Sequence, residues 1–178
     1  MSDMNKAIDS FFNRLIEQPD LLPQTHWDPK WPSPCIQGKP EQAGEVCRWL
    51  PVKREQPASF DNVENAIELA IHVDVKQLYQ NYYSNIIPAQ FGGLALDLIQ
   101  PWNDEDFEGL QENLIGHVLM KKRLNQSITL FIGCIDDDTI VSVENDTGRV
   151  VKERVGCEPA SVLADSLVEF VSQLRLRS

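Results

Sequence analysis

Residues 102–124 read W-N-D-E-D-F-E-G-L-Q-E-N-L-I-G-H-V-L-M-K-K-R-L, and this stretch predicts a helix around which the rest of the chain packs. Asn103 is a favourable N-cap residue, and the acidic residues after it stand where the helix dipole is positive. Basic residues close the other end at 121–123. Because Gly116 costs about 1 kcal/mol relative to alanine inside a helix, we expect close backbone packing there. Steps of three and four residues give one apolar stripe that faces a core: Phe107, Leu110, Leu114, Val118 and Leu119.

Downstream of this helix the chain changes to β-forming residues. Runs of Val, Ile, Thr and Phe predict strands at 128–135 and 139–144, joined as a hairpin by the acidic tip 136–138. A turn then leads to a further antiparallel strand at 149–155. The apolar pattern at 160–174 predicts a last helix that faces inward.

The N-terminal part predicts a helix at 2–18, which prolines then stop. The segment 20–40 is rich in proline and aromatic residues, so we expect an ordered loop lying over the body. Trp27 and Trp31 either fasten this loop to the core or take part in binding. The inward face of the first helix is predicted to carry Ile8, Phe11, Phe12, Leu15 and Ile16.

The middle of the chain predicts a strand at 45–52 and a second long helix from Asp61 or Asn62 to about Tyr83. A turn at 88–93 leads into a strand at 94–100. Helices first and strands later predict an α+β fold with helices packed on a mixed, largely antiparallel sheet. No composition shift divides the chain, so residues 1–178 are predicted to form a single domain.

The formal net charge of -11 argues against a nucleic-acid partner and favours a basic one. The N-terminus lacks the basic start and apolar stretch of a secretory signal, and no apolar run approaches the length of a membrane helix. We therefore expect a soluble protein without direct lipid insertion. The scattered cysteines are predicted to be buried free thiols: Cys35, Cys47, Cys134 and Cys157.

No catalytic or metal-binding pattern emerges from the sequence, so we predict no enzyme activity, no cofactor and no metal. The chain has no nucleophile motif, zinc-binding helix motif, phosphate-binding loop or dinucleotide glycine pattern. His72, His117 and His26 are interpreted as partly exposed residues. The acidic tip 136–138 is either a solvated hairpin end or a weak calcium site. One enzyme hypothesis stays open, with Glu64 or Glu112 as an acid or base in a cleft.

Acidic residues concentrate in three places: the helix start at 104–112, the beginning of the second helix and the tip at 136–138. If two of these groups border one concavity, its low-dielectric walls concentrate a negative field that draws in a basic partner. The alternative is that the acids only keep the protein soluble.

Several motifs resemble one known family. They are W-P-S-P-C at 31–35, A-Q-F-G at 89–92, D-F-E-G-L-Q-E-N-L-I-G-H at 106–117, K-R-L at 122–124 and T-L-F-I at 129–132. Together they resemble the Syd family, SecY-interacting proteins of gamma-proteobacteria within the SUKH superfamily.

The resemblance implies a SUKH-like α+β domain without catalysis that binds SecY, the channel subunit of the SecYEG protein-export translocon. It implies a cytoplasmic protein, peripheral on the cytoplasmic side of the bacterial inner membrane, that regulates or checks SecY assembly. A negatively charged concave surface would meet basic cytosolic loops of SecY. The alternative is a SUKH immunity protein that neutralises a basic toxin.

Two groups of carboxylates are the candidates for that surface. Glu64 resembles a family glutamate early in the second helix, and Asp61 and Glu68 lie beside it. The second group follows the N-cap of the central helix: Asp104, Asp106, Glu108 and Glu112.

Overall fold

A seven-stranded antiparallel sheet carries the helices in the computed structural model, which describes residues 1–177. The predicted α+β class is confirmed. The helices are α1 (Asp3–Glu17), α2 (Asp61–Ile67), α3 (Val73–Gln80), α4 (Asp104–Arg123) and α5 (Leu167–Gln173).

The large sheet has the strand order β10-β9-β8-β7-β6-β5-β11, and two small two-stranded sheets pair β1 with β2 and β3 with β4. No helix within residues 1–177 is long and apolar enough to cross a membrane. The strands are β1 (Thr25–His26), β2 (Val46–Cys47), β3 (Val52–Lys53), β4 (Tyr82–Tyr83), β5 (Ile87–Phe91), β6 (Leu94–Leu98), β7 (Thr129–Cys134), β8 (Thr139–Glu144), β9 (Val150–Arg154), β10 (Ser161–Ala164) and β11 (Arg175–Leu176).

Helix α4 packs on β7 and matches the prediction closely at both ends. The Asn103 side chain accepts a hydrogen bond from the Asp106 amide at 2.7 Å, as an N-cap residue should. Two details of the prediction are wrong. Leu119 is 43% exposed, because the buried face continues through His117 and Lys121 instead. A Cβ added at Gly116 would meet no atom within 4 Å, so this glycine does not mark close backbone packing.

The predicted second long helix is wrong, because the chain breaks it into α2 and α3. Glu68 adopts the left-handed conformation with φ 55°, which ends α2. The Glu64 carboxylate then accepts a hydrogen bond from the Ile71 amide at 2.8 Å. His72 caps α3 by accepting from the Asp74 amide at 3.1 Å. Local side-chain hydrogen bonds thus replace the helical backbone bonds that the apolar period predicts.

Three other boundaries differ from the sequence prediction. The first half of the predicted helix at 160–174 is β10, which pairs with β9, and Ser166 caps the shorter α5. The predicted turn at 88–93 is mostly strand β5, and only Gly92 and Gly93 turn the chain. The predicted strand at 45–52 is reduced to β2 and the start of β3.

The proline-rich loop is held mainly by a tryptophan that the prediction did not single out. Trp49 is 1% exposed and donates from its indole nitrogen to the Pro23 carbonyl at 2.7 Å. Its ring meets Trp102 edge-on with centroids 6.1 Å apart. Trp27 and Trp31 are only half-buried.

Two burial predictions are wrong in part. Ile16 at the end of α1 is 39% exposed, although the rest of its predicted face is buried. All the cysteines are free thiols, as predicted, but only Cys35 is buried. Cys134 and Cys157 are exposed.

Candidate partner-binding surface

Helix α4 presents two different sides to its surroundings besides its buried face. On one side lies α2, because Asn62 donates to the Gln111 amide oxygen at 3.2 Å. With about 3.6 residues per turn, Gly109, Asn113 and Gly116 fall on the side opposite Gln111. These three residues face a groove between α4 and the sheet.

The groove has a volume of about 640 Å³. Its helix wall consists of Asp106, Gly109, Leu110, Asn113, Gly116, His117 and Met120. Its sheet wall and ends consist of Ile86, Ile99, Gln100, Phe131, Cys134, Ile140 and Val155.

Acidic side chains border this groove at both ends. Asp106 lines it near the start of α4. The acidic tip 136–138 adjoins the other end, where the Asp138 carbonyl accepts a hydrogen bond from the Val155 amide at 2.9 Å. Glu112 is exposed on the crest of α4, three residues after Gly109 and four before Gly116, so it neighbours both groove-lining glycines. Asp106 is thus the acidic residue that lines the groove, while Glu112 and the hairpin tip lie beside it. At the tip, Asp138 forms an ion pair with Arg154 at 3.9 Å.

The other candidate carboxylates lie toward α2, on the far side of α4 from the groove. Asp61, Glu68 and Glu108 are exposed there. Asp104 forms an ion pair with Arg54 at 3.3 Å and accepts a hydrogen bond from the Tyr83 hydroxyl. The structure does not gather all of the predicted carboxylates in one hollow.

Local bonds also engage two further candidates, Glu64 and Asp106. Glu64 is half-buried, and besides accepting from Ile71 it pairs with Lys76 at 3.4 Å. Asp106 accepts a hydrogen bond from the Trp102 amide at 2.8 Å, which stabilises the start of α4.

Several exposed carboxylates form no ion pair within residues 1–177. They are Asp61, Glu68, Glu105, Glu108, Glu112 and Asp137. Glu105 was not among the predicted site residues. Glu105 precedes Gly109 by four residues, and residues at this spacing are neighbours on a helix surface. This spacing is the sequence signal that could have identified Glu105.

A buried polar cluster lies beneath α4. Lys121 and Glu153 are both 0% exposed, with the ammonium nitrogen 2.6 Å from Glu153 Oε1. Lys121 also donates to the Cys157 carbonyl at 2.5 Å. His117 is buried, with Nε2 2.9 Å from Thr129 Oγ1, so its predicted partial exposure is wrong. Burial lowers the pKa of His117; nearby Glu153 acts in the opposite direction and Lys121 lowers it further.

Among the described residues, no group of three or more His, Cys, Asp or Glu side chains is placed to hold a metal ion. At the acidic tip, Asp136 accepts hydrogen bonds from the amides of Asp138 at 3.0 Å and Thr139 at 2.8 Å. These bonds lower the pKa of Asp136 and close the hairpin turn. The other two histidines make local contacts. His72 caps α3, and His26 Nδ1 contacts the Gly44 carbonyl at 3.1 Å.

The fold and this surface define a class: an α+β domain that presents an apolar groove with an acidic border. Comparison with known proteins then gives the family. A family model described as Syd protein (SUKH-2) matches residues 1–175, and the chain belongs to the Syd family.

Relatives named "Protein Syd" are similar to this chain over most of their length. "Protein Syd" of Pseudoalteromonas atlantica is 39% identical over 178 residues, which cover 97% of this chain and 96% of the relative. "Protein Syd" of Alteromonas mediterranea is 46% identical over 149 residues, covering 83% of this chain and 82% of the relative. "Protein Syd" of Colwellia psychrerythraea is 40% identical, covering 93% and 86%.

Proposed function

We propose that this chain binds SecY on the cytoplasmic side of the bacterial inner membrane and regulates or checks the assembly of the SecYEG translocon. Membership of the Syd family supports SecY as the partner. The observation that carries the proposal is a set of exposed carboxylates beside one groove that form no ion pair within residues 1–177: Glu105 and Glu112 on α4 and Asp137 at the hairpin tip.

Electrostatics makes basic cytosolic loops suitable partners for this surface. Cytoplasmic loops of membrane proteins carry an excess of Lys and Arg. A concave surface lined by one sign of charge focuses its field and raises the association rate of an oppositely charged partner. The net charge of -11 would repel the protein from anionic lipid headgroups, so its attachment to the membrane runs through the protein partner.

The two acidic surfaces have different parts in this proposal. The groove-side acids, Glu105, Asp106, Glu112 and the tip 136–138, make the contact. The α2-side acids, Asp61, Glu64, Glu68, Asp104 and Glu108, extend the negative field around it. Because the field of exposed charges decays over about 8 Å at physiological ionic strength, the groove-side acids contribute more to affinity.

Paired charge reversals test this assignment. Glu112→Lys with Asp137→Lys reverses the groove side, and Asp61→Lys with Glu68→Lys reverses the α2 side. Glu17→Lys with Glu41→Lys is a charge-matched control at exposed positions of α1 and of the segment that follows the proline-rich loop. Binding to SecYEG in nanodiscs of neutral lipid is measured by biolayer interferometry.

We expect the groove-side pair to weaken binding by about tenfold or more, equivalent to about 1.4 kcal/mol. The α2-side pair should weaken it less, and the control pair should bind as the wild type does. A groove-side pair with wild-type affinity would overturn the assignment of the surface. Absence of binding by the wild-type protein itself would overturn SecY as the partner.

A further inference from the structure

Gln100 lies where the groove meets a second hollow, and one of its polar atoms has no partner. Its side chain is 2% exposed and donates from Nε2 to the Leu78 carbonyl at 3.1 Å. Its Oε1 is buried and accepts no hydrogen bond from residues 1–177. Gln100 lines both the groove and the second hollow, as Asp106 and Ile86 also do.

An unsatisfied buried acceptor destabilises a protein, because it has lost its hydrogen bond to water without gaining another. A ligand in the groove that donates a hydrogen bond to Gln100 Oε1, once the amide turns this shielded oxygen toward the groove, would recover part of this cost. A backbone N–H of an extended peptide is such a donor, and it is present in every partner segment regardless of sequence.

The groove around Gln100 is apolar and open. Phe131 and Ile140 form its sheet wall. Ile86 is 51% exposed and Val155 is 50% exposed, and both also line the groove. Large apolar side chains exposed together along one concavity are typical of a surface that docks another protein.

The glycines of α4 make this groove wide. Added Cβ atoms at Gly109 and Gly116 would meet nothing within 4 Å, so neither glycine is required by packing inside the protein. Each glycine is less favourable inside a helix than alanine would be. Their effect is to leave room for a neighbouring chain along the helix wall.

The second hollow extends the groove toward the proline-rich loop. It has a volume of about 240 Å³ and includes Trp31 and Trp102. Asp28 adds a carboxylate there. The combined channel therefore runs from Val155, next to the acidic tip 136–138, past Gln100, to Trp31 and Trp102 with Asp28 beside them.

We propose that this channel binds an extended peptide segment in which a large aliphatic or aromatic side chain stands next to a lysine or arginine. The apolar side chain lies between α4 and the sheet, a backbone N–H donates to Gln100 Oε1, and the cation faces Asp106 or the acidic tip. This inference rests on the proposed function in that it describes the partner segment which the acidic surface attracts.

Synthetic peptides test the apolar contact apart from charge. A fluorescein-labelled nonapeptide of glycine and serine with two lysines and one central leucine is compared with its Leu→Ser counterpart, which has the same charge. Fluorescence polarisation should show at least tenfold weaker binding for the serine peptide. N-methylation of one backbone amide near the leucine should weaken binding as well, since it removes the donor to Gln100.

A protein variant tests the position. Gly116→Phe fills the groove from an exposed helix site, and phenylalanine favours a helix more than glycine does. The Tm of this variant should therefore be no lower than that of the wild type. Its affinity for the leucine peptide should be at least tenfold weaker. Asn13→Phe adds the same side chain at an exposed position of α1 and should bind the peptide normally.

Equal affinity for the leucine and serine peptides, or wild-type affinity in Gly116→Phe, would overturn the inference. SecYEG binding by the wild type is measured in parallel. If SecYEG binds while the peptide series shows no apolar preference, only the inference fails. If the peptide series behaves as expected while SecYEG does not bind, the proposed partner fails and the channel assignment stands.

Discussion

Lys121 and Glu153 form an ion pair at 2.6 Å in the fully buried space beneath α4. Because a lone buried charge is far less stable than a paired one, Lys121→Met should lower the free energy of unfolding by about 3–5 kcal/mol. Urea denaturation measures the change. The double variant Lys121→Met with Glu153→Met removes both charges and should recover most of the loss. A double variant as unstable as the single one would show that the pair does not act as a unit.

His117 should make stability depend on pH. Burial lowers its pKa below the ordinary value of 6.5, so the unfolded chain binds this proton more readily than the folded one. The contribution of His117 to stability is therefore fully present above about pH 6.5 and is lost as the pH falls toward its folded pKa.

Urea denaturation between about pH 7.5 and pH 5.5 checks this dependence, since most carboxylates titrate below that range. His117→Gln keeps a polar contact to Thr129 without a titrating group and should show a flatter profile. An NMR titration that places the His117 pKa above 6.5 would contradict the prediction.

At the scale of elements, the link between α2 and α3 depends on Glu64. Glu64→Ala removes the acceptor of the Ile71 amide and the partner of Lys76, and should lower the free energy of unfolding by about 1–2 kcal/mol. Glu64→Gln keeps an acceptor oxygen and should cost less. Chemical denaturation of both variants measures the difference, and equal losses would show that the hydrogen bond to Ile71 is unimportant.

Elements whose signals are local could be predicted from the sequence. Helix α4 has an N-cap, an acidic start and a basic end, and the hairpin β7–β8 has two β-rich runs around a polar turn. The break at Glu68 could not be predicted, because it depends on hydrogen bonds that Glu64 and His72 accept from backbone amides only after the chain turns. The strand β10 could not be predicted either, since its pairing with β9 outweighs a helix-like apolar period.

At the scale of the whole molecule, the positions of acidic residues in the sequence predict the acidic groups but not how the fold arranges those groups in space. The sequence placed carboxylates on α4 and α2 and at the tip 136–138 without showing which of them share a concavity. The packing of α2 against the Gln111 side of α4 puts its acids on the far side from the groove. Gln100 was missed because its unpartnered oxygen is evident only from tertiary contacts.

The central claim is that groove-side carboxylates capture a basic segment of SecY. The most direct test is the dissociation constant for SecYEG in neutral nanodiscs, measured from about 50 to about 300 mM salt. The Debye length, over which exposed charges act, falls markedly across this range. The wild type should lose affinity steeply as salt rises, and Glu112→Gln with Asp137→Asn should give a shallower dependence. A wild-type affinity that does not change with salt, or equal slopes for the two proteins, would contradict the claim.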